Sequence, residues 1–298
     1  DSILADTSPN NQTGSAGCIS DQVLDISRGK CEIELVFSSA VNEEINGIQR
    51  KITSNSIPDH LVGLFGPFQE ALNPNEIKEQ LTVLRITANP EIADEFTPLL
   101  SSTGPAYSFG ILLNGVELDP VAAEPFPHEG MMSPNLNWEW NLEATNVLIG
   151  LDCNNAHVQP TGKYHYHGPP VLYLENAKIS ADKMTLIGYA GDGFPIYYKY
   201  AYSDPTDNSS PIIEINSSYR LKEGERPGDG INAPCGTYDG VYSNDYEYVE
   251  DLGILDKANG RIGVTPEYPS GTYYYILTDD FPKIPRYFRG VPSNDFKI

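Results

Sequence analysis

Prolines and glycines interrupt this chain at short intervals, 24 and 26 of them among 298 residues. Neither suits the interior of a long helix. Proline lacks the N–H and clashes with the preceding turn, and glycine gives up the most backbone entropy. The runs between them are short and rich in β-branched and aromatic side chains. They include "CEIELVF" (31–37), "LTVLRIT" (81–87), "FGILLNGVEL" (109–118), "TNVLIGL" (145–151) and "KYHYH" (163–167). "PVLYL" (170–174), "KMTLIGYA" (183–190), "FPIYYKY" (194–200) and "TYYYILT" (272–278) continue the series. Each reads as a strand. Cys31, Ile33, Leu35 and Phe37 alternate with Glu32 and Glu34 as in a half-buried strand. Asn114-Gly115 between two apolar runs is the dipeptide of a two-residue hairpin, whose turn positions both need positive φ. Helix signals are few. "NPNEIKEQ" (73–80) predicts about two turns, with Asn73 as cap and Pro74 at the first helical position. The expectation is a mostly β fold: one large β-rich domain over 18–298, sandwich or barrel-like, with few short helices. A polar, flexible lead-in over 1–17 precedes it.

Acidic residues outnumber basic ones by 41 to 19, a formal net charge of −22. That field repels nucleic acid and anionic lipid and attracts cations. No apolar run approaches the ~18 residues a spanning helix needs, so no membrane insertion is expected. The absence of a leading methionine suggests a processed, secreted or cell-envelope protein. Sequons at Asn11, Asn208 and Asn216 are compatible with that. The four cysteines form no CxxC pair, and they predict two disulfides, Cys18–Cys31 and Cys153–Cys235.

The chain has five histidines, and two of them, His165 and His167, are one residue apart. On a strand they share a face, with Tyr164 and Tyr166 on the other. His157 lies just upstream, across "VQPTG", whose Pro160 and Gly162 suit a tight turn. Three imidazoles with a solvent position make a transition-metal site for copper or zinc. The plain alternative is that the histidines hydrogen-bond within a tyrosine-rich sheet.

The stretch "LDCNNAHVQPTGKYHYHG" resembles the signature of the YHYH-domain family. Upstream "ITSNSIPDH", "NPNEI" and "LLNGVELDP" resemble further family segments. Downstream, so do "GYAGDGFPIYY", "DYEYVEDLGILDKANGR" and "VTPEYPSGTYYYILTDDFPKIPRYFRG". The similarity runs from about residue 45 to 298. It implies a secreted or envelope protein and no settled activity. The family often carries a cysteine in each of the segments matching "LDKANG" and "PRYFRG". This chain has Lys257-Ala258 and Tyr287 there, which makes Cys153–Cys235 a substitute staple.

Asp192, at a Gly-Asp-Gly turn in one of those family segments, and His60, after Pro58, are candidate catalytic or proton-shuttling groups. Both also suit purely structural roles. His128 reads as a surface residue. The loop "RPGDGINAPCGTYDGVYSNDYEYVED" (226–251) has oxygen ligands for calcium but no ordered spacing. Trp138 and Trp140 could stack on a sugar or fill a core. The leading reading is a secreted metal-binding domain with copper favoured, in capture or redox chemistry. A zinc-dependent hydrolase or hydratase is the second. A non-catalytic adhesion or carbohydrate-binding module with a small-molecule or glycan ligand is the third.

Overall fold

In a computed structural model, residues 22–128 and 135–298 are described. The lead-in over 1–17, Cys18 and the Asn11 sequon lie outside them.

Strands dominate. β1 (Val41–Asn46), β2 (Gln49–Ser54) and β3 (Thr82–Thr87) make an antiparallel sheet. A larger sheet has eight strands: β4 (Gly110–Leu112), β5 (Glu117–Leu118), β6 (Ala156–Val158), β7 (Tyr164–Tyr166), β8 (Leu186–Ala190), β9 (Pro195–Tyr198), β10 (Gly260–Gly263) and β11 (Thr272–Leu277). Their order is β6-β7-β5-β4-β8-β9-β11-β10. The sheet ends at β6 and β10 and does not close as a barrel. β7 runs parallel to β5, and β9 to β11; the other neighbours are antiparallel. The small sheet lays Ile52, Leu84 and Ile86 against Ile111 and Tyr189 of the large one, a sandwich-like contact. The opposite face, with Leu112, Ile187, Ala190, Ile196 and Tyr275, belongs to the main core.

Two hairpins in the large sheet have the same type of loop. Leu112 N donates to Val116 O at 3.0 Å and Gly115 N to Leu112 O at 2.9 Å. Gln159 N donates to Lys163 O at 3.0 Å and Gly162 N to Gln159 O at 2.8 Å. Each is a three-residue loop whose last position is a left-handed glycine, Gly115 at φ +80° and Gly162 at φ +88°. Only Gly115 of the Asn-Gly pair has positive φ, so the two-residue turn expected there gains a residue. A Cβ on Gly162 would lie 2.7 Å from Cβ of Lys78, so that glycine also makes room for a neighbouring segment.

Several local expectations yield to tertiary partners. "PVLYL" lies in a helix, α1 (Val171–Asn176), not a strand. The Asn154 side chain accepts the Leu172 N–H at 2.9 Å, satisfying one of the open donors at its start. Residues 73–80 form no helix. Asn73 instead accepts from Asn75 N at 3.0 Å, and both side-chain amides donate to Val158 O at 2.9 Å. "CEIELVF" contributes only an isolated bridge, Ile33 to Val62. "TNVLIGL" starts with the end of a 3₁₀ turn, Ala144–Asn146, and continues without a strand.

Both expected disulfides are overturned. Cys31 bonds to Cys153 across 122 residues of sequence. Cys235 is disulfide-bonded as well. The bridge that forms depends on which distant loops pack together, and cysteine count carries no information on that. Lys257 Nζ sits 4.4 Å over the Tyr287 ring, so the two segments where the family carries cysteines do meet, through a cation–π contact.

Two predictions follow from this packing. Non-reducing peptide mapping should recover a Cys31–Cys153 cross-link; a Cys18–Cys31 peptide would contradict the structure. Tyr166, fully buried, should cost about 3–5 kcal/mol on replacement by alanine, as large aromatic truncations do. An unchanged urea midpoint would show that face to be open.

Candidate metal centre

β6 and β7 form the hairpin that carries the three histidines. Its register pairs Ala156 with Tyr166, His157 with His165, and Val158 with Tyr164. Directly opposed residues share a face, so His157 and His165 project together, and His167 follows two residues on. Tyr164 and Tyr166 take the other face, both fully buried. Their hydroxyls are satisfied there. Tyr164 donates to Asp152 Oδ2 at 2.7 Å, and Tyr166 Oη meets His60 Nε2 at 2.7 Å and Asn114 Nδ2 at 3.0 Å.

The three ligating nitrogens all lie within 4.8 Å of one another. His167 Nε2 is 3.0 Å from His165 Nε2 and 3.1 Å from His157 Nε2. His157 Nδ1 faces Ile149 O at 3.2 Å and His165 Nδ1 faces Lys163 O at 3.4 Å. A carbonyl only accepts, so in both rings Nδ1 carries the proton and Nε2 presents a lone pair. His167 can donate a proton to one of them at most. Bare imidazole nitrogens this close are mutually repulsive unless a cation takes up their lone pairs. Nitrogens bound at ~2.0–2.1 Å to one tetrahedral ion are about 3.3 Å apart, close to the two separations that His167 makes.

Electrostatics keep the rings neutral, the form that ligates. Burial pushes His165 and His167 well below the ordinary imidazole pKa, and their histidine neighbours add to it. Lys163 acts further on His165, and Arg286 on His167. Burial lowers His157 as well, partly offset by the Ile149 carbonyl.

The other candidate residues are engaged elsewhere. Both nitrogens of His60 are occupied, Nε2 by Tyr166 and Nδ1 by Leu61 O at 2.8 Å. They anchor the tyrosine face of β7. Asp192 accepts from Tyr275 Oη, from Gly290 N at 2.8 Å and from Phe194 N at 3.3 Å. Burial raises its pKa to about 6. His128 is half-buried, not a surface residue, and stacks on Tyr242 with ring centroids 5.7 Å apart. Trp138 and Trp140 are buried, so their rings belong to the packing and leave no open face for a sugar. In the acidic loop, Asp245 and Asp239 both pair with Arg226, and Asp229 accepts the backbone N–H groups of Ile231 and Asn232. Among the described residues, no calcium-type carboxylate cluster forms there.

Sequence reasoning missed Glu117 and Asp119. β7 pairs in parallel with β5, Tyr166 opposite Leu118, and Asp119 N donates to Tyr166 O at 2.8 Å. Leu118 therefore shares the tyrosine face, and Glu117 and Asp119 share the histidine face. The alternation in "VELDP" was readable, but a parallel partner some 45 residues away was not.

A family model described as "YHYH protein" matches residues 83–290, most of the chain and all of this site. No curated protein matches, and no solved structure does.

The depressed imidazole pKa values set a pH dependence. An unfolded histidine protonates near pH 6.5, whereas the buried rings stay neutral to lower pH. Their contribution to stability is intact above pH 6.5 and is lost as pH falls below it, because the unfolded chain then binds more protons. NMR titration of the metal-free protein should find His165 and His167 uncharged at pH 6. Between pH 6.5 and 5, His165→Ala should flatten the stability profile by up to about 1.4 kcal/mol per pH unit. A His165 ring titrating near 6.5 would show that it is solvated, not buried.

Proposed function

The chain belongs to the YHYH family, and for this member we propose a metal-binding function centred on His157, His165 and His167. The observation that carries this reading is the convergence of three Nε2 atoms, two of them with their protons held on the far side of the ring. Copper is the favoured ion, since nitrogen ligands bind Cu²⁺ most tightly among the divalent first-row metals. His165 and His167 are 2% and 3% exposed. Such burial suits holding, carrying or cycling the charge of an ion better than hydrolysis, which needs a substrate beside the metal. The oxidised Cys31–Cys153 and Cys235 support folding in an oxidising compartment, outside the cytosol. Asn208 and Asn216, the acceptor asparagines of two sequons, are exposed, which is compatible with glycosylation in such a compartment. We read residues 18–298 as one unit, because strands from Gly110 to Leu277 share one sheet.

The test is metal analysis of protein purified without chelator or histidine tag. One copper per chain is the expected result, and His165→Ala or His167→Ala should lose most of it while keeping the fold. His128→Ala should keep the metal. Stoichiometric zinc would move the reading to a zinc hydrolase or hydratase. Absence of any transition metal from protein refolded with either ion would leave the histidines as sheet residues and favour a binding or adhesion module.

A further inference from the structure

Three neutral imidazoles bring no charge to a metal ion. A divalent ion among them would keep its full charge in a buried site, which is costly without a counter-charge. The two cations that bear on the histidines, Lys163 and Arg286, make that worse.

Three carboxylates lie close enough to those cations to matter, and two are committed. Glu117 binds Lys163 Nζ at 2.8 Å through Oε1 and accepts from Ser108 Oγ at 3.0 Å through Oε2. Glu143 binds Arg286 Nη2 at 2.6 Å and accepts from Ser243 Oγ at 3.0 Å and Thr145 Oγ1 at 3.1 Å. Asp119 is the third. It is 5% exposed, and its Oδ1 is buried with no hydrogen-bond partner. Its Oδ2 has a single long contact, 3.4 Å from Gln159 Nε2. Gln159 continues the β6–β7 ladder two residues after His157, so it stands on the histidine face. The amide thus ties Asp119 to the strand that carries the first ligand.

We infer that Asp119 is the counter-charge of the three-histidine centre, facing the ion from just past the end of β5 as an outer carboxylate and favouring a divalent over a monovalent ion. This rests on the metal-binding reading above. Leaving a carboxylate buried and nearly unpartnered is expensive for the empty fold, and burial pushes the Asp119 pKa up to about 7. A cation beside it turns that cost into an attraction.

The experiment compares wild type, Asp119→Asn and Asp119→Glu, with His165→Ala as the ligand control. Affinities for Cu²⁺, Zn²⁺ and Cu⁺ are measured by competition, with electron paramagnetic resonance of the Cu²⁺ forms. Asp119→Asn should weaken both divalent ions at least about tenfold, the scale of outer-shell carboxylate losses, and Cu⁺ by a clearly smaller factor. Its Cu²⁺ spectrum should shift toward that of a more positive site. Its metal-free melting temperature should be unchanged or higher, and Asp119→Glu should recover part of the divalent affinity. Divalent affinity within twofold of wild type, or equal losses for Cu⁺ and Cu²⁺, would overturn the inference. So would a metal-free Asp119→Asn protein that is unfolded or clearly less stable, because the carboxylate would then be structural. If His165→Ala abolishes binding and Asp119→Asn does not, the counter-charge alone fails. If wild type binds no ion, the metal-binding reading fails and takes this inference with it.

Discussion

The arrangement depends on a three-residue strand buried on both faces. Tyr164 and Tyr166 point into the main core, and His165 between them points the other way with His167. Neither face alone would fix the strand. The aromatic rings supply most of the packing, but buried hydroxyls are tolerable only when hydrogen-bonded. Asp152, Asn114 and His60 meet that requirement at 2.7–3.0 Å. Once those bonds set the position and tilt of β7, the direction of the imidazoles follows from the period of the backbone. The tyrosine face determines the histidine face, which is why His60, remote from the three ligands in role, still matters to them.

The histidine face departs from the rule that buried polar groups are paired. Three imidazole nitrogens converge, with two contacts of 3.0–3.1 Å and at most one proton to bridge them, and one oxygen of a buried carboxylate has no donor. By contrast, the buried guanidinium of Arg226 is held by Asp245 at 2.8 and 2.7 Å. Local violations of this kind call for a compensating group, which a bound ion or water can supply. Lys163 and Arg286 oppose protonation of the rings, and the same repulsion acts on any other cation placed among them.

What could be read in the sequence was local. The HxH spacing, the Pro160–Gly162 turn and the alternation of "KYHYH" each concern neighbours within a dozen residues, and the hairpin bears them out. The strands "LTVLRIT", "KMTLIGYA", "FPIYYKY" and "TYYYILT" likewise carry their own signal and contain β3, β8, β9 and β11. Apart from the Asn114-Gly115 turn, which gains a residue, the clearest misreadings involve a distant partner. "PVLYL" becomes helical where Asn154 reaches its first turn, "NPNEIKEQ" stays irregular where it binds Val158, and Cys31 finds Cys153 rather than the nearer Cys18. Asp119 escaped for the same reason, because its place beside the histidines comes from a parallel pairing that no short window reveals.

That distant wiring also explains how His157 is held. It lies on β6, the edge of the large sheet and only three residues long, where fraying is expected. Three restraints offset this. The Asn73 and Asn75 amides occupy the Val158 carbonyl, and Lys78 N donates to Gly162 O at 2.9 Å, so the segment that fails to become a helix serves as a cover for the edge. Asp152, just before the strand, accepts from Gly63 N, Asn154 N and Tyr164 Oη at 2.7–3.0 Å, fastening the incoming loop to the tyrosine core. The Cys31–Cys153 bridge ties the same loop to the N-terminal segment, and Cys153 N donates to Cys31 Sγ at 3.1 Å. His165 sits on a strand inside the sheet with His167 just past its end, and His157 sits on a braced edge. The β6 side is also the more accessible one, since His157 is the least buried of the three histidines.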